Sequence, residues 1–187
     1  MASLGIDFHV HAANVHETVQ EGESPHACAQ RLSVDKARAV AGEYASEWVL
    51  AGDTVVTIGG DTLGKPRDEL DAIAMLMRLQ GRTHHVISGL ALIGPAPPFT
   101  EAPTFAGTQL TVVTFRSFGA DTARAYASTG EPADKAGGYG IQGKGATLVD
   151  RIDGDYTCIV GLPVPLLLRL LEQAGRPYRF TLPTEGG

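Results

Sequence analysis

Apolar positions recur along the chain with two different periods, and the changes of period divide it into elements. Over 5–15, Ile6, Phe8 and Val10 alternate with Asp7, His9 and His11. A period of two predicts a strand with one polar face. Ser24 followed by Pro25 predicts a helix start, an N-cap and then a proline in the first turn. Ala27, Ala29, Leu32, Ala37 and Val40 continue at helical spacing toward Gly42. A mostly apolar strand is expected over 48–57, closed by the turn Gly59-Gly60-Asp61. Residues 68–79 predict an amphipathic helix with Leu70, Ile73, Ala74, Met77 and Leu79 on its apolar side. Acids at its start and Arg78 near its end suit the helix dipole, Gly81 ends it, and its methionines read as core filling.

Further strands are expected over 85–93 and 109–115, separated by a proline-rich loop at 95–103 that marks a lobe boundary or a variable excursion. A short helix is predicted over 119–129. Two strands, 148–152 and 156–160, read as a hairpin across Asp153-Gly154-Asp155. A last helix runs from Pro165 through Leu166, Leu167, Leu170 and Leu171 to Gly175. Helical and strand periods interleave throughout, which predicts an α/β layered fold. One domain over 1–180 is expected, with 181–187 as a flexible tail.

With 187 residues, 43% of them hydrophobic and 19% charged, the chain can bury a sizeable core. A formal net charge of −6 argues against nucleic acid or an acidic membrane as partner. It leaves room for a small polyanion met by a few clustered lysines. Cys28 and Cys158 have no metal-like or framework spacing and read as buried, reduced thiols. The start lacks a basic segment and a long apolar core, and the apolar run 160–171 is too short and too interrupted to span a bilayer. A cytoplasmic protein is therefore expected.

The densest candidate chemistry lies at Gly52-Asp53-Thr54-Val55-Val56 and Leu63-Gly64-Lys65-Pro66-Arg67-Asp68. An acid after an apolar run serves either as a cap or as a functional carboxylate. A Gly-Lys-Pro turn returning toward it adds an anion and metal reading, because phosphates need a cation and divalent metals need carboxylates. Lys36 sits within the first helix, where a solvated face is the plain reading. The segment 130–145 holds the chain's densest run of glycines, which let backbone N–H groups approach a ligand. Its embedded Lys135, Tyr139 and Gln142 favour a binding loop over a linker. His9 and His11 form a His-x-His pair of the kind that opens amidohydrolase metal sites. Such barrels take about 250 residues, more than this chain has.

Several motifs fall together in order and spacing. They are Gly52-Asp53-Thr54-Val55-Val56, Leu63-Gly64-Lys65-Pro66, Gly81-Arg82-Thr83-His84, Val113-Thr114-Phe115, Glu131-Pro132 with Asp134-Lys135-Ala136-Gly137, Gly138-Tyr139-Gly140-Ile141-Gln142-Gly143 and Val160-Gly161-Leu162-Pro163. Taken together they resemble the Maf family of nucleoside triphosphate pyrophosphatases, in its dTTP/UTP-acting branch, over nearly the whole chain. The resemblance implies an α/β fold of the Maf/ITPase type, an elongated two-lobed mixed β-sheet flanked by helices with an active-site cleft between the lobes. It also implies a homodimer, a nucleoside triphosphate substrate and a divalent metal, Mg or Mn.

Carried over by position, the resemblance makes Asp53 the proton acceptor. Lys36 and Lys65 become cations for the phosphates, and Glu17, with Asp53, a metal or water partner. Thr54 and Gln142 match positions linked to base choice. A glutamine amide offers one donor and one acceptor, complementary to the O4 and N3–H edge of thymine or uracil. Two departures stand out. Family members open with a strand and a Ser-x-Ser-Pro-Arg-Arg loop, whereas Met1-Ala2-Ser3-Leu4-Gly5 aligns with the end of the helix that follows that loop. His16 also replaces an acid before Glu17. The competing expectations are a catalytically weakened nucleotide-binding or regulatory relative linked to cell division, and a metal hydrolase built on His9 and His11.

Overall fold

The computed structural model describes residues 1–96 and 100–180. The expected tail from 181 onward and the centre of the proline-rich loop lie outside the described residues. A single 3-10 turn at Ala2–Leu4 opens the chain, and 5–24 is irregular. There follow α1 (Pro25–Ala41), β1 (Val49–Ile58), β2 (Asp61–Leu63), α2 (Glu69–Leu79), β3 (Thr83–Ile93), β4 (Thr104–Phe115), α3 (Ala120–Ala127), β5 (Val149–Asp153), α4 (Tyr156–Val160) and α5 (Val164–Gln173).

The strands form one sheet in the order β2-β1-β3-β4-β5, and every pairing is antiparallel rather than mixed. β3 is central and buried on both faces. Alternation along β1 and β3 decides what packs where. Val55, Ile87, Ala91 and Ile93 meet α1 through Cys28, Ala29, Leu32 and Ala37. Val56, Ile58 and Val86 point the other way, into Leu76, Leu79, Tyr126, Tyr139 and Phe115, while Leu90 and Leu92 meet α5. The molecule is thus three layers: α1, the sheet, and the remaining helices.

α1 sits unusually close to β3 because Gly89 has no side chain: a Cβ there would run into the carbonyl of Ala29. Its start is as the sequence predicts, with Ser24 Oγ accepting from the Ala27 N–H at 3.2 Å. The hairpin turn also holds, with Gly59 at φ 61° and Gly60 at φ 93°, values that suit glycine and a twisted two-residue loop.

Three expectations are corrected. The alternating stretch 5–15 is not a strand. Among the described residues no strand edge pairs with it, and its apolar side is left largely uncovered, with Val10 87% exposed. Residues 156–160 are helical rather than the second arm of a hairpin. Asp155 caps their start through the Thr157 N–H at 2.8 Å, and Gly161 ends them at φ 96°, so end-capping overrides the β-preference of Tyr, Thr, Ile and Val. α2 buries Ala72, Leu76 and Leu79; of the expected stripe Leu79 is buried and Ile73 packs against the core, but Leu70, Ala74 and Met77 are exposed, Leu70 by 77%. Both stripes of that helix are apolar, and only the position of the sheet selects between them. No helix among the described residues is long and apolar enough to cross a membrane.

Candidate active site

β2 pairs with β1 only at Val56, Thr57 and Ile58, so among the described residues the outer edge of β1 from Val49 to Val55 carries no neighbouring strand. A cleft of about 800 Å³ opens along this free edge. α1, the turn after β2, the glycine-rich loop and the end of α4 complete its walls. The size suits a small ligand.

On the α1 face of β1 lies a cluster of four charged groups. Lys36 Nζ is 2.6 Å from Asp53 Oδ1 and 2.6 Å from Glu17 Oε1. Lys65 Nζ is 2.9 Å from Glu17 Oε2. Glu17 is brought in from the irregular segment, Lys36 from α1, Asp53 from β1 and Lys65 from the turn after β2. Lys36 is not on a solvated face. It falls four residues after Leu32 and four before Val40, on the stripe that α1 turns to the sheet.

Burial holds the Asp53 carboxyl above the usual range for aspartate, and the Lys36 ammonium only partly offsets it. Burial also opposes the charge on Lys36, but the bonds from Asp53 and Glu17 outweigh it and hold the ammonium protonated. Hydrogen bonds from Lys36 and then Lys65 hold Glu17 below its ordinary value. The outcome is a partly desolvated carboxylate of raised proton affinity beside fixed positive charge.

One support for this cluster was not legible as such in the sequence. Arg31 grips Glu23 at 2.7 and 2.8 Å and reaches the Thr18 carbonyl at 3.0 Å, which anchors the segment that carries Glu17. Cys28 is buried and free, as expected, but it also lines the cleft.

Thr54 projects from the opposite face of β1. Its Oγ1 lies 2.7 Å from Ser88 Oγ on β3, its cross-strand partner. Gln142 lines the same cleft from the glycine-rich loop. That loop is pinned by Glu131, whose carboxylate accepts from the Lys144 and Gly145 N–H groups at 2.9 and 3.0 Å and from Tyr126 Oη at 2.9 Å. Tyr126 Oη in turn accepts from the Gly140 N–H at 3.0 Å. Below it, Tyr139 Oη is 2.8 Å from the buried His84 Nε2. Glu131 and Tyr139 belong to motifs visible in the sequence, but their partners are supplied by the fold.

All six predicted positions, Glu17, Lys36, Asp53, Thr54, Lys65 and Gln142, therefore border one cleft. His9 and His11 do not. His11 contacts Tyr44 at 3.1 Å, and no group of three or more His, Cys, Asp or Glu residues suited to a metal occurs among the described residues. Two carboxylates, Asp53 and Glu17, do converge on one cation, the Lys36 ammonium. That arrangement fits a divalent ion held jointly with phosphate oxygens, since magnesium binds through one or two carboxylates plus substrate phosphates.

The fold and the cluster define an α/β protein with a polyanion-sized cleft at a free sheet edge. The model of the Maf family, described as Maf-like protein, matches residues 1–174, and the chain belongs to that family. A dTTP/UTP pyrophosphatase of Myxococcus xanthus is 46% identical over 177 residues, covering 95% of this chain and 87% of that protein. One of Desulfotalea psychrophila is 44% identical over 168 residues, covering 90% and 84%. A third, of Pyrococcus furiosus, is 40% identical over 166 residues, covering 89% and 84%.

Proposed function

We propose that this protein hydrolyses dTTP and UTP to the nucleoside monophosphate and pyrophosphate, with the charged cluster on the α1 face of β1 as its reaction centre. The observation that carries the reading is the partly buried Asp53 carboxylate within 2.6 Å of Lys36, at the edge of a cleft that Gln142 and Thr54 also line. Water attacks the α-phosphorus, the bond to the bridging oxygen of the β-phosphate breaks, and pyrophosphate leaves. Asp53 takes the proton of the attacking water, a role its raised proton affinity favours. Lys36 and Lys65 neutralise the charge that grows on the phosphate oxygens. Asp53 and Glu17 would hold the divalent cation, Mg or Mn, which when bound polarises the phosphates and screens their charge.

The test is pyrophosphate release from dTTP and UTP with magnesium or manganese, by this protein and by Asp53→Asn. Release that Asp53→Asn cuts by about 10²- to 10⁴-fold is expected. Tight nucleotide binding by calorimetry without any release would overturn the reading in favour of a regulatory binder.

A further inference from the structure

Glu17 engages both lysines of the cluster at once, one through each carboxylate oxygen. Its Oε1 lies 2.6 Å from Lys36 Nζ and its Oε2 lies 2.9 Å from Lys65 Nζ. A carboxylate that spans two ammoniums in this way makes the same bridge as a phosphoryl group using two of its non-bridging oxygens. A polyphosphate that draws on both lysines therefore competes with Glu17 for them. Glu17 is placed to give way. It stands in the irregular segment 5–24, and its side chain is 37% exposed. The backbone beside it is held, because Arg31 grips the next residue through the Thr18 carbonyl at 3.0 Å and Glu23 beyond it. The side chain can thus swing while the segment stays.

We propose that Glu17 is a metal-released latch: it occupies Lys36 and Lys65 until a divalent cation takes its carboxylate, so the cleft accepts the metal complex of a polyphosphate and resists the bare anion. The inference rests on the proposed nucleotide reading and names the form in which the substrate binds. Asp53 and Glu17 are the two carboxylates that fit a divalent ion, and magnesium is held by one or two carboxylates together with substrate phosphates. Turning Glu17 from the lysines toward the ion does two things in one movement. It supplies a ligand for the ion, and it bares two ammoniums for the phosphate oxygens. Ion and polyphosphate then raise each other's affinity by the same factor, since coupling between two binding events is reciprocal. Without Glu17 the lysines are open to any anion of suitable size, and the coupling shrinks to the direct attraction between ion and phosphate.

The experiment measures the dissociation constant of inorganic pyrophosphate by calorimetry, with and without magnesium. It compares the unaltered protein with Glu17→Gln, Glu17→Ala and Glu21→Gln. Glu21 is an exposed carboxylate on the same segment, and among the described residues it bonds neither lysine. Its loss therefore reports the change in net charge alone. Magnesium also binds pyrophosphate in solution, equally for every protein, so that effect cancels between them. Glu17→Gln and Glu17→Ala are each expected to bind metal-free pyrophosphate about tenfold more tightly, the worth of one hydrogen bond that no longer has to be broken. The gain in affinity that magnesium brings should shrink in both by about the same factor. Glu21→Gln should match the unaltered protein under both conditions. Metal-free affinity that is unchanged or weaker in the Glu17 variants overturns the latch, as does an equal rise in Glu21→Gln. No binding of pyrophosphate by any of the proteins overturns it as well. Release of pyrophosphate from UTP is assayed separately: if the unaltered protein releases none, the pyrophosphatase reading fails, and the dissociation constants still decide the latch.

Discussion

Asp53 and Thr54 are adjacent in the chain and serve opposite faces of the sheet: Asp53 bonds Lys36 of α1, whereas Thr54 bonds Ser88 beneath α4. Because the strand alternates, two consecutive residues can address two layers. Because the edge of β1 is open at that point, one ligand can reach both sides of it. The proposed phosphate chemistry thus occupies one face of β1, the one that α1 covers.

Asp53→Asn is expected to cut turnover of UTP by about 10²- to 10⁴-fold, the range of a general base. In the unaltered protein, activity should fall as pH drops through the Asp53 pKa, and that acidic limb should lie above the ordinary aspartate value of 3.8. Lys36→Met removes the partner that partly offsets burial, so the limb moves to higher pH. A kcat/KM profile whose limb stays in place would contradict the assigned pairing.

Lys65 is half exposed, and among the described residues its ammonium bonds only the Glu17 carboxylate. Exposed ion pairs contribute about 0–1 kcal/mol, so Lys65→Met should hardly alter the melting temperature. Its effect should fall on substrate, with KM for UTP rising roughly 10- to 100-fold, as for a lost bond to a charged group. Steady-state kinetics beside a thermal melt separates the two.

Arg31→Met should release the segment that holds Glu17, lowering turnover while the sheet stays folded. The Arg31 guanidinium pulls Glu23 from 4.5 down to about 2. The contribution of this pair is therefore complete above pH 4.5 and is lost as pH falls through about 2. Acid unfolding followed by circular dichroism should show less dependence on pH over that window in Arg31→Met. An identical curve would show that the pair does not tie the segment down.

His84 is buried between Phe115 and Tyr139, and burial lowers its pKa from 6.5 to about 4. The unfolded chain then takes up a proton that the folded one refuses. Stability should fall as pH drops from 6.5 toward 4 and level off below, by about 3 kcal/mol in all. His84→Leu should be less stable at pH 7, because Tyr139 loses its partner, yet show a flatter pH dependence. Urea titrations at pH 7, 5.5 and 4.5 measure both.

Gly89→Ala should destabilise the protein by about 1–3 kcal/mol, because the new methyl meets the Ala29 carbonyl of α1. Urea denaturation at neutral pH reads this directly, and a neutral substitution would mean that α1 moves away at no cost. Since α1 carries Lys36, loss of activity should exceed loss of folded fraction.

The sequence alone determined the α/β class, most element positions and six candidate site residues, each of which borders the cleft. Local signals carry that information: Ser24-Pro25 starts α1, Gly59-Gly60 turns the hairpin, and motifs around Asp53, Lys65 and Gln142 hold their spacing. Alternation at 5–15 misled because a strand needs an edge to pair with, and pairing is not a local property. Residues 156–160 misled because Asp155 and Gly161 cap a helix whose interior prefers strand. Only the tertiary structure decided that Lys36 turns inward, since a lysine on an apolar stripe is stable there only opposite carboxylates from distant segments. It alone set Ser88 across from Thr54, through the register of β1 against β3. Asp53-Thr54 is read from the chain; that the two residues act on different faces of one open edge is a fact of the sheet.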